Sequence, residues 1–264
     1  MYRRTSISLC IFMSFLLLFF LSYSSAISED IPNASRIESI YGYSESGRPL
    51  TCIYLGQNDA EHGLLLVFGV HGFEDAFDHD GEVLRMIAMR VIDHFQAHPD
   101  ELKNFRLCVI PCANPDGLLN GTSHNGFGRC NASGLNINRD FPIGWKPDYH
   151  IRNKTGPAPF STAEARALRD LALQFAPTYA ADVHGWINGV YGKGAMADCF
   201  SKAFDMNIKT IRSGGTLAQW LSSIADESIL LELPADPDAD AYIISNSQKL
   251  IDAIQTLCAL HSDL

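Results

Sequence analysis

Basic residues are scarce in this chain, which carries 20 Lys and Arg against 30 Asp and Glu for a formal net charge of −10. No basic run occurs in it, which argues against nucleic acid and anionic membrane as partners. Small anionic substrates stay open, because they feel only the local field of a few arginines and a metal. The chain also lacks internal repeats, and no linker divides it. At 264 residues it suits one sizeable domain with a large core, expected as a monomer. Cysteine gives no clear framework. Apart from Cys10, the chain holds Cys52, Cys108, Cys112, Cys130, Cys199 and Cys258, which allow fifteen pairings. A domain of this size does not need disulfides to fold. Cys108 and Cys112 share one strand-like run at a spacing beyond disulfide reach, so they read as buried thiols.

The N-terminus reads as a targeting segment. Arg3 and Arg4 precede a nearly unbroken apolar stretch from Ile7 to Leu21, and Ser24-Ser25-Ala26 offers a small-residue cleavage site. Residues 1–26 are therefore expected to be a signal peptide, with residues 27–264 exported to the periplasm or secreted and free of the membrane after cleavage. The alternative is an uncleaved anchor, since the stretch approaches spanning length. Sequons at Asn33, Asn120, Asn131 and Asn153 matter only in a host that glycosylates them.

The remainder of the chain alternates strand and helix signals. Pro49 to Leu55, Leu64 to Val70, Phe105 to Cys112, Tyr179 to Val183 and Ile229 to Leu233 read as strands. A helical pattern from about Glu82 to Phe95 is apolar at Val83, Ile87, Val91 and Phe95. Ser161 with Glu164 forms a capping box for a helix through about Phe175. Thr216 to Ile224 is a short helix and Ala241 to about Leu260 a long one. This order implies an α/β fold of three α/β/α layers around a mixed, largely parallel sheet. The long Gly- and Asn-rich stretch from Asn114 to Lys154 has little periodicity, and loops of that length are usually functional.

Chemistry gathers at the ends of the apolar runs. Val70-His71-Gly72-Phe73-Glu74 follows one, Asp182-Val183-His184-Gly185 another, and Glu232 a third. A His and a Glu three residues apart can aim an imidazole nitrogen and a carboxylate at one point. A second His completes the three protein ligands of a catalytic Zn²⁺. In such sheets ligands collect outside the strands' carboxyl ends.

These residues, in this order, resemble the zinc carboxypeptidases of the carboxypeptidase A type. The resemblance implies one Zn²⁺ per chain on His71, Glu74 and His184, with Glu232 as general base. It implies that Arg129 polarises the scissile carbonyl and that Asn138 and Arg139 grip the substrate's terminal carboxylate. Asn114-Pro115-Asp116-Gly117 looks like the family's loop. The Phe141-Pro142 and Leu233-Pro234 endings look most like the bacterial murein-peptide amidases, which cut the γ-D-glutamyl–diaminopimelate bond. The implied function is an exported zinc exopeptidase acting on short peptides, wall-derived ones among them. A zinc acyl-amino-acid deacylase and a catalytically silent peptide-binding module are the competing readings; the Asn-Pro-Asp-Gly loop and Glu232 weigh against them.

The sequence departs from the family's pattern in three places. Asn136 stands where an Asp usually accepts a hydrogen bond from a zinc-bound His; it can accept that bond but adds no charge. Asp140 follows the Asn-Arg pair where Asn is common. No counterpart of the digestive enzymes' capping Tyr exists, and Thr210-Ile211-Arg212 occupies that stretch. Arg212 could meet the additional carboxylate of diaminopimelate. Trp145, Trp186 and Trp220 read as packing residues, with Trp186 close enough to His184 to line the cleft.

Overall fold

The computed structural model describes residues 36–121, 128–234 and 239–261. The expected signal peptide, residues 1–26, lies outside the described residues. Among those described, no helix is long and apolar enough to cross a membrane.

Strands β1 (Ile37–Tyr43), β2 (Pro49–Gly56), β3 (His62–Phe68), β4 (Phe105–Ile110), β5 (Tyr179–Gly192), β6 (Ile208–Lys209) and β7 (Glu227–Pro234) form one sheet. The path runs β1-β2-β4-β3-β5-β6, with β7 also paired to β5. β1 and β2 run antiparallel to their neighbours, while β4, β3, β5, β6 and β7 pair in parallel. The sheet is therefore mixed and largely parallel, as the alternating pattern predicts.

Central strands are apolar on both sides because both faces are covered. Leu64, Leu66 and Phe68 of β3 point into one core, with α1 (Asp80–Ala97), α4 (Ala195–Phe204) and α6 (Ala239–Leu260). Leu65 and Val67 point into the other, under α3 (Ala163–Phe175) and α5 (Leu217–Leu221). The predicted stripe Val83, Ile87, Val91 and Phe95 is the buried face of α1.

Several expectations need correction. The capping box does not form, because Thr162, not Ser161, caps α3 by accepting from Ala165 N at 3.1 Å. Glu164 is drawn elsewhere: its buried carboxylate accepts from Glu45 N at 2.8 Å and from Asn131 Nδ2 at 3.0 Å. β5 does not stop at Val183 but continues to Gly192. What ends at Val183 is its pairing with β3, while β7 accompanies it onward through an irregular register. His184 and Glu232 thus lie within strands, at the point where β5 loses its neighbour on one side. Among its described residues, the irregular Asn114–Lys154 stretch contains α2 (Pro115–Asn120) and one 3₁₀ turn, Ile137–Arg139. β1, β6, α2 and α4 were not expected; β1 is an edge strand with a half-buried, weakly apolar pattern.

Candidate metal centre and cleft

His71 and Glu74 sit in the loop that leaves β3. Gly72 lets this loop press onto α2, since a Cβ there would fall 2.1 Å from Leu118 N. α2 is itself fixed by the Asn-Pro-Asp-Gly sequence: Asn114 caps it by accepting from Gly117 N at 2.9 Å. Asn114 Nδ2 also donates to Cys130 O at 3.1 Å, tying down the segment next to Arg129. On its other side the loop is held by Asp80, the buried first residue of α1. Its carboxylate accepts from Glu74 N at 2.8 Å, Ala76 N at 2.9 Å and Trp186 Nε1 at 3.2 Å. Trp186 is therefore a partner of Asp80, packed on Phe77 and Tyr242, and does not line the cleft.

The tertiary fold brings His184 to the same point. Glu74 Oε2 lies 3.0 Å from His71 Nδ1, and Glu74 Oε1 lies 2.6 Å from His184 Nδ1. One ligand atom from each residue lies within 4.8 Å of the others, with both imidazoles almost fully buried. The far nitrogens decide whether this set suits a metal. His71 Nε2 faces Asn136 Oδ1 at 3.1 Å, and His184 Nε2 faces Asp182 Oδ1 at 2.8 Å. With its proton on Nε2, His71 turns its Nδ1 lone pair toward Glu74; His184 Nε2 has both the Asp182 carboxylate and Asn138 Nδ2 beside it, and its Nδ1 faces Glu74 as well. Two imidazole nitrogens and a carboxylate, each imidazole backed by an acceptor, is a donor set that fits Zn²⁺. Burial, helped by Arg129, pushes His71 down to about 3, so it stays neutral. Burial opposes charge on Glu74, but His71 and His184 beside it prevail and hold it well below the usual carboxylate range. Burial also opposes charge on His184, yet the flanking Asp182 and Glu74 carry it well above an ordinary imidazole.

Asn136 makes the bond expected of it. Its Nδ2 donates to Arg152 O at 2.7 Å, while Asn138 N donates to Oδ1 at 2.8 Å, so the amide presents oxygen to His71. Asp140 stays buried and accepts from Thr162 N at 2.7 Å and Thr162 Oγ1 at 2.8 Å, anchoring α3 to the 3₁₀ turn.

Glu232 stands directly opposite His184 in the β5–β7 register. It is 9% exposed, and its Oε2 has no hydrogen-bond partner among the described residues. Burial raises it to about 7 against the pull of the His184 charge, with the charges of Glu74 and Asp182 adding to the rise. It opens into a cleft of about 560 Å³ that Arg129, Asn138, Arg139 and Arg212 also line. The arginines differ in their ties. Arg129 donates from Nη1 to Glu74 Oε2 at 3.0 Å. Arg139 donates to Asn138 O at 2.6 Å, and burial lowers its pKa. Arg212 is exposed on the wall. The Asn138 side chain is engaged at both ends, with Oδ1 accepting from Leu217 N at 2.8 Å and Nδ2 standing 3.0 Å from His184 Nε2.

The sequence reading missed Asp80, Asp182, Lys209 and Tyr191. Asp182 left a signal: a carboxylate two residues before His184 in an apolar strand shares its face. Lys209 and Tyr191 line the cleft, with the Lys209 ammonium 5.3 Å from the Tyr191 ring centroid. Nothing local marked either one.

The family model described as zinc carboxypeptidase matches residues 20–197. The chain belongs to the zinc carboxypeptidase family. Over 252 residues the chain is 32% identical to bacteriocin BCN5 of Clostridium perfringens, matching 89% of its own length and 27% of the bacteriocin's. It therefore spans about a quarter of that relative. It is 25% identical over 231 residues to murein peptide amidase A of Escherichia coli K12, covering 80% of this chain and 88% of the amidase. The crystal structure of carboxypeptidase A from Helicoverpa armigera superposes with a TM-score of 0.71 at 16% identity, covering 89% of this chain and 71% of that one. The carboxypeptidase-like fold is thereby established, and the chain is a hydrolase domain of the zinc carboxypeptidase kind.

Proposed function

We propose that this protein is an exported metallocarboxypeptidase that cleaves peptide or γ-glutamyl amide bonds next to a free carboxylate, with murein-derived peptides as its preferred substrates. One observation carries the reading: the buried His71, Glu74 and His184 set opens, beside Glu232, onto a cleft lined by Arg129, Arg139, Lys209 and Arg212.

Zinc, held by His71, Glu74 and His184, would supply Lewis acidity and make water a nucleophile near neutral pH. Asn136 accepts from His71 Nε2, and the Asp182 carboxylate beside His184 Nε2 favours a proton on that nitrogen, so that both Nδ1 atoms are left for the metal. Glu232 accepts a proton from the attacking water at its carboxylate and passes it to the leaving nitrogen; a carboxyl poised near 7 can do both. Arg129 donates to the oxyanion. Arg139 holds the substrate's terminal carboxylate by its planar fork, and Asn138 supports it through its carbonyl rather than through its occupied amide. Arg212, with Lys209 nearby on the same cleft, favours a second anionic centre, which diaminopimelate has and residues with neutral side chains lack. Export through residues 1–26 would bring the enzyme to wall-derived peptides.

Product analysis tests the reading. Purified zinc-loaded protein is given an alanyl-γ-D-glutamyl-diaminopimelate tripeptide, a linear peptide ending in a neutral residue, and an amidated peptide. Release of diaminopimelate well ahead of the neutral residue is expected, with the amidated peptide intact. Equal rates on the first two would overturn the murein preference, and release from none would overturn the hydrolase assignment to this cleft.

A further inference from the structure

A second cluster of metal-ligating side chains lies outside the cleft, where α1 ends. His94 occupies the last turn of α1, His98 is the residue after the helix, and Glu101 lies in the 3₁₀ turn Pro99–Leu102. Among the described residues, only this set and the His71, Glu74 and His184 set bring three potential ligand atoms within 4.8 Å of one another. We propose that His94, His98 and Glu101 form a second, non-catalytic site for a divalent transition-metal ion.

Local geometry supports it in several ways. The four-residue spacing brings both imidazoles to the same side of the end of α1, close to the way helices present paired ligands to zinc. The two rings are stacked here with centroids 4.6 Å apart. His98 Nδ1 lies 2.9 Å from His94 O and donates to that carbonyl, which leaves Nε2 as a lone pair able to bind a cation. His94 Nε2 and Glu101 Oε2 lie 2.7 Å apart, sharing a proton that a metal would replace. Gln255 Nε2 donates to the same Glu101 oxygen at 2.8 Å, steering the carboxylate from α6. Ligands of a tetrahedral ion stand about 3.3 Å apart, so the His94–Glu101 pair, at 2.7 Å, must open by about 0.6 Å.

Two imidazoles and one carboxylate, with the remaining position left to water, suit zinc, nickel or copper(II) and not calcium or magnesium. The ion would join the end of α1, the 3₁₀ turn and, through Gln255, the α6 helix. The distal position separates this site from the chemistry of the cleft.

Zinc titration of the full protein tests the proposal. Enzyme carrying one zinc equivalent is titrated with zinc by calorimetry and, in parallel, its thermal midpoint is recorded. A second equivalent should bind and raise Tm by about 5 °C at a hundredfold excess over Kd. H98A and E101Q should each take up only the first equivalent and show no rise, with kcat/KM unchanged. A wild type that stops at one equivalent, or variants that still bind two, would overturn the proposal and leave a hydrogen-bonded surface pair only. H184A is the control for the cleft: it should lose the tight equivalent and keep the second, so the two sites fail independently.

Discussion

Glu232→Gln should make this protein more stable and less active, and the stability effect should depend on pH in a way that only the buried carboxyl can cause. Burial raises Glu232 from 4.5 to about 7 in the folded chain. Between those values the folded state keeps a proton that the unfolded state releases, so stability falls as pH rises through the window. A separation of this size amounts to about 3 kcal/mol, complete above about pH 7. Glutamine does not titrate, and its side chain has nearly the same shape. The stability difference between variant and wild type should therefore grow in the variant's favour by about 3 kcal/mol from pH 4.5 to about pH 8. Urea unfolding of chelator-stripped protein, followed by circular dichroism across this range, measures it. Comparing the two proteins at each pH cancels every other titrating group and any fixed cost of the amide. A difference that stays flat with pH would refute the reasoning, because Glu232 would then not be held protonated by its surroundings. In the zinc-loaded enzyme the same variant should keep its metal and lose about 10²- to 10⁴-fold in turnover; near-normal turnover would place the base elsewhere.

The same geometry sets other outcomes. His184→Ala should lose the tightly held zinc in metal analysis, and full retention would remove His184 from the ligand set. Asp182→Asn should weaken zinc binding by about 10- to 100-fold in competition with a chelator, since the imidazole loses its charged partner; unchanged affinity would mean Asp182 is merely structural. Arg139→Ala should cost about 3 kcal/mol in kcat/KM, as the substrate carboxylate is left without a partner, while amidated substrates, already poor, should lose little more. Arg212→Ala should impair cleavage of diaminopimelate peptides far more than of peptides ending in a neutral residue; equal losses on both would remove its role in selectivity.

Much of the fold was legible because the hydrophobic pattern carries it. Leu64 to Phe68 is apolar throughout, and Tyr179 to Val183 and Ile229 to Leu233 are apolar but for Asp182 and Glu232, which requires two covered faces, and the Val83, Ile87, Val91 and Phe95 stripe has one helical reading. Elements with weak local signals were not legible. β1 is a half-buried edge strand, and β6 is two residues long and exposed. Ser161 and Glu164 show why a local motif can mislead: the capping box was available, but tertiary contacts from Glu45 and Asn131 hold the Glu164 carboxylate instead.

By itself the sequence determined which residues could supply the chemistry. His71, Glu74, His184 and Glu232 adjoin or lie within buried runs, and a metal ligand or base in a core needs such a place. Only the tertiary structure decided how those groups are set. It turned both Nδ1 atoms toward Glu74 by giving each Nε2 a partner, Asn136 from a distant loop and Asp182 from the same strand. It used up the Asn138 amide, brought Lys209 and Tyr191 to the cleft wall, and held the Glu74 loop with Asp80. The physical reason is reach: burial follows from the periodicity of neighbours along the chain, whereas tautomer, pKa and orientation depend, Asp182 apart, on partners tens of residues away.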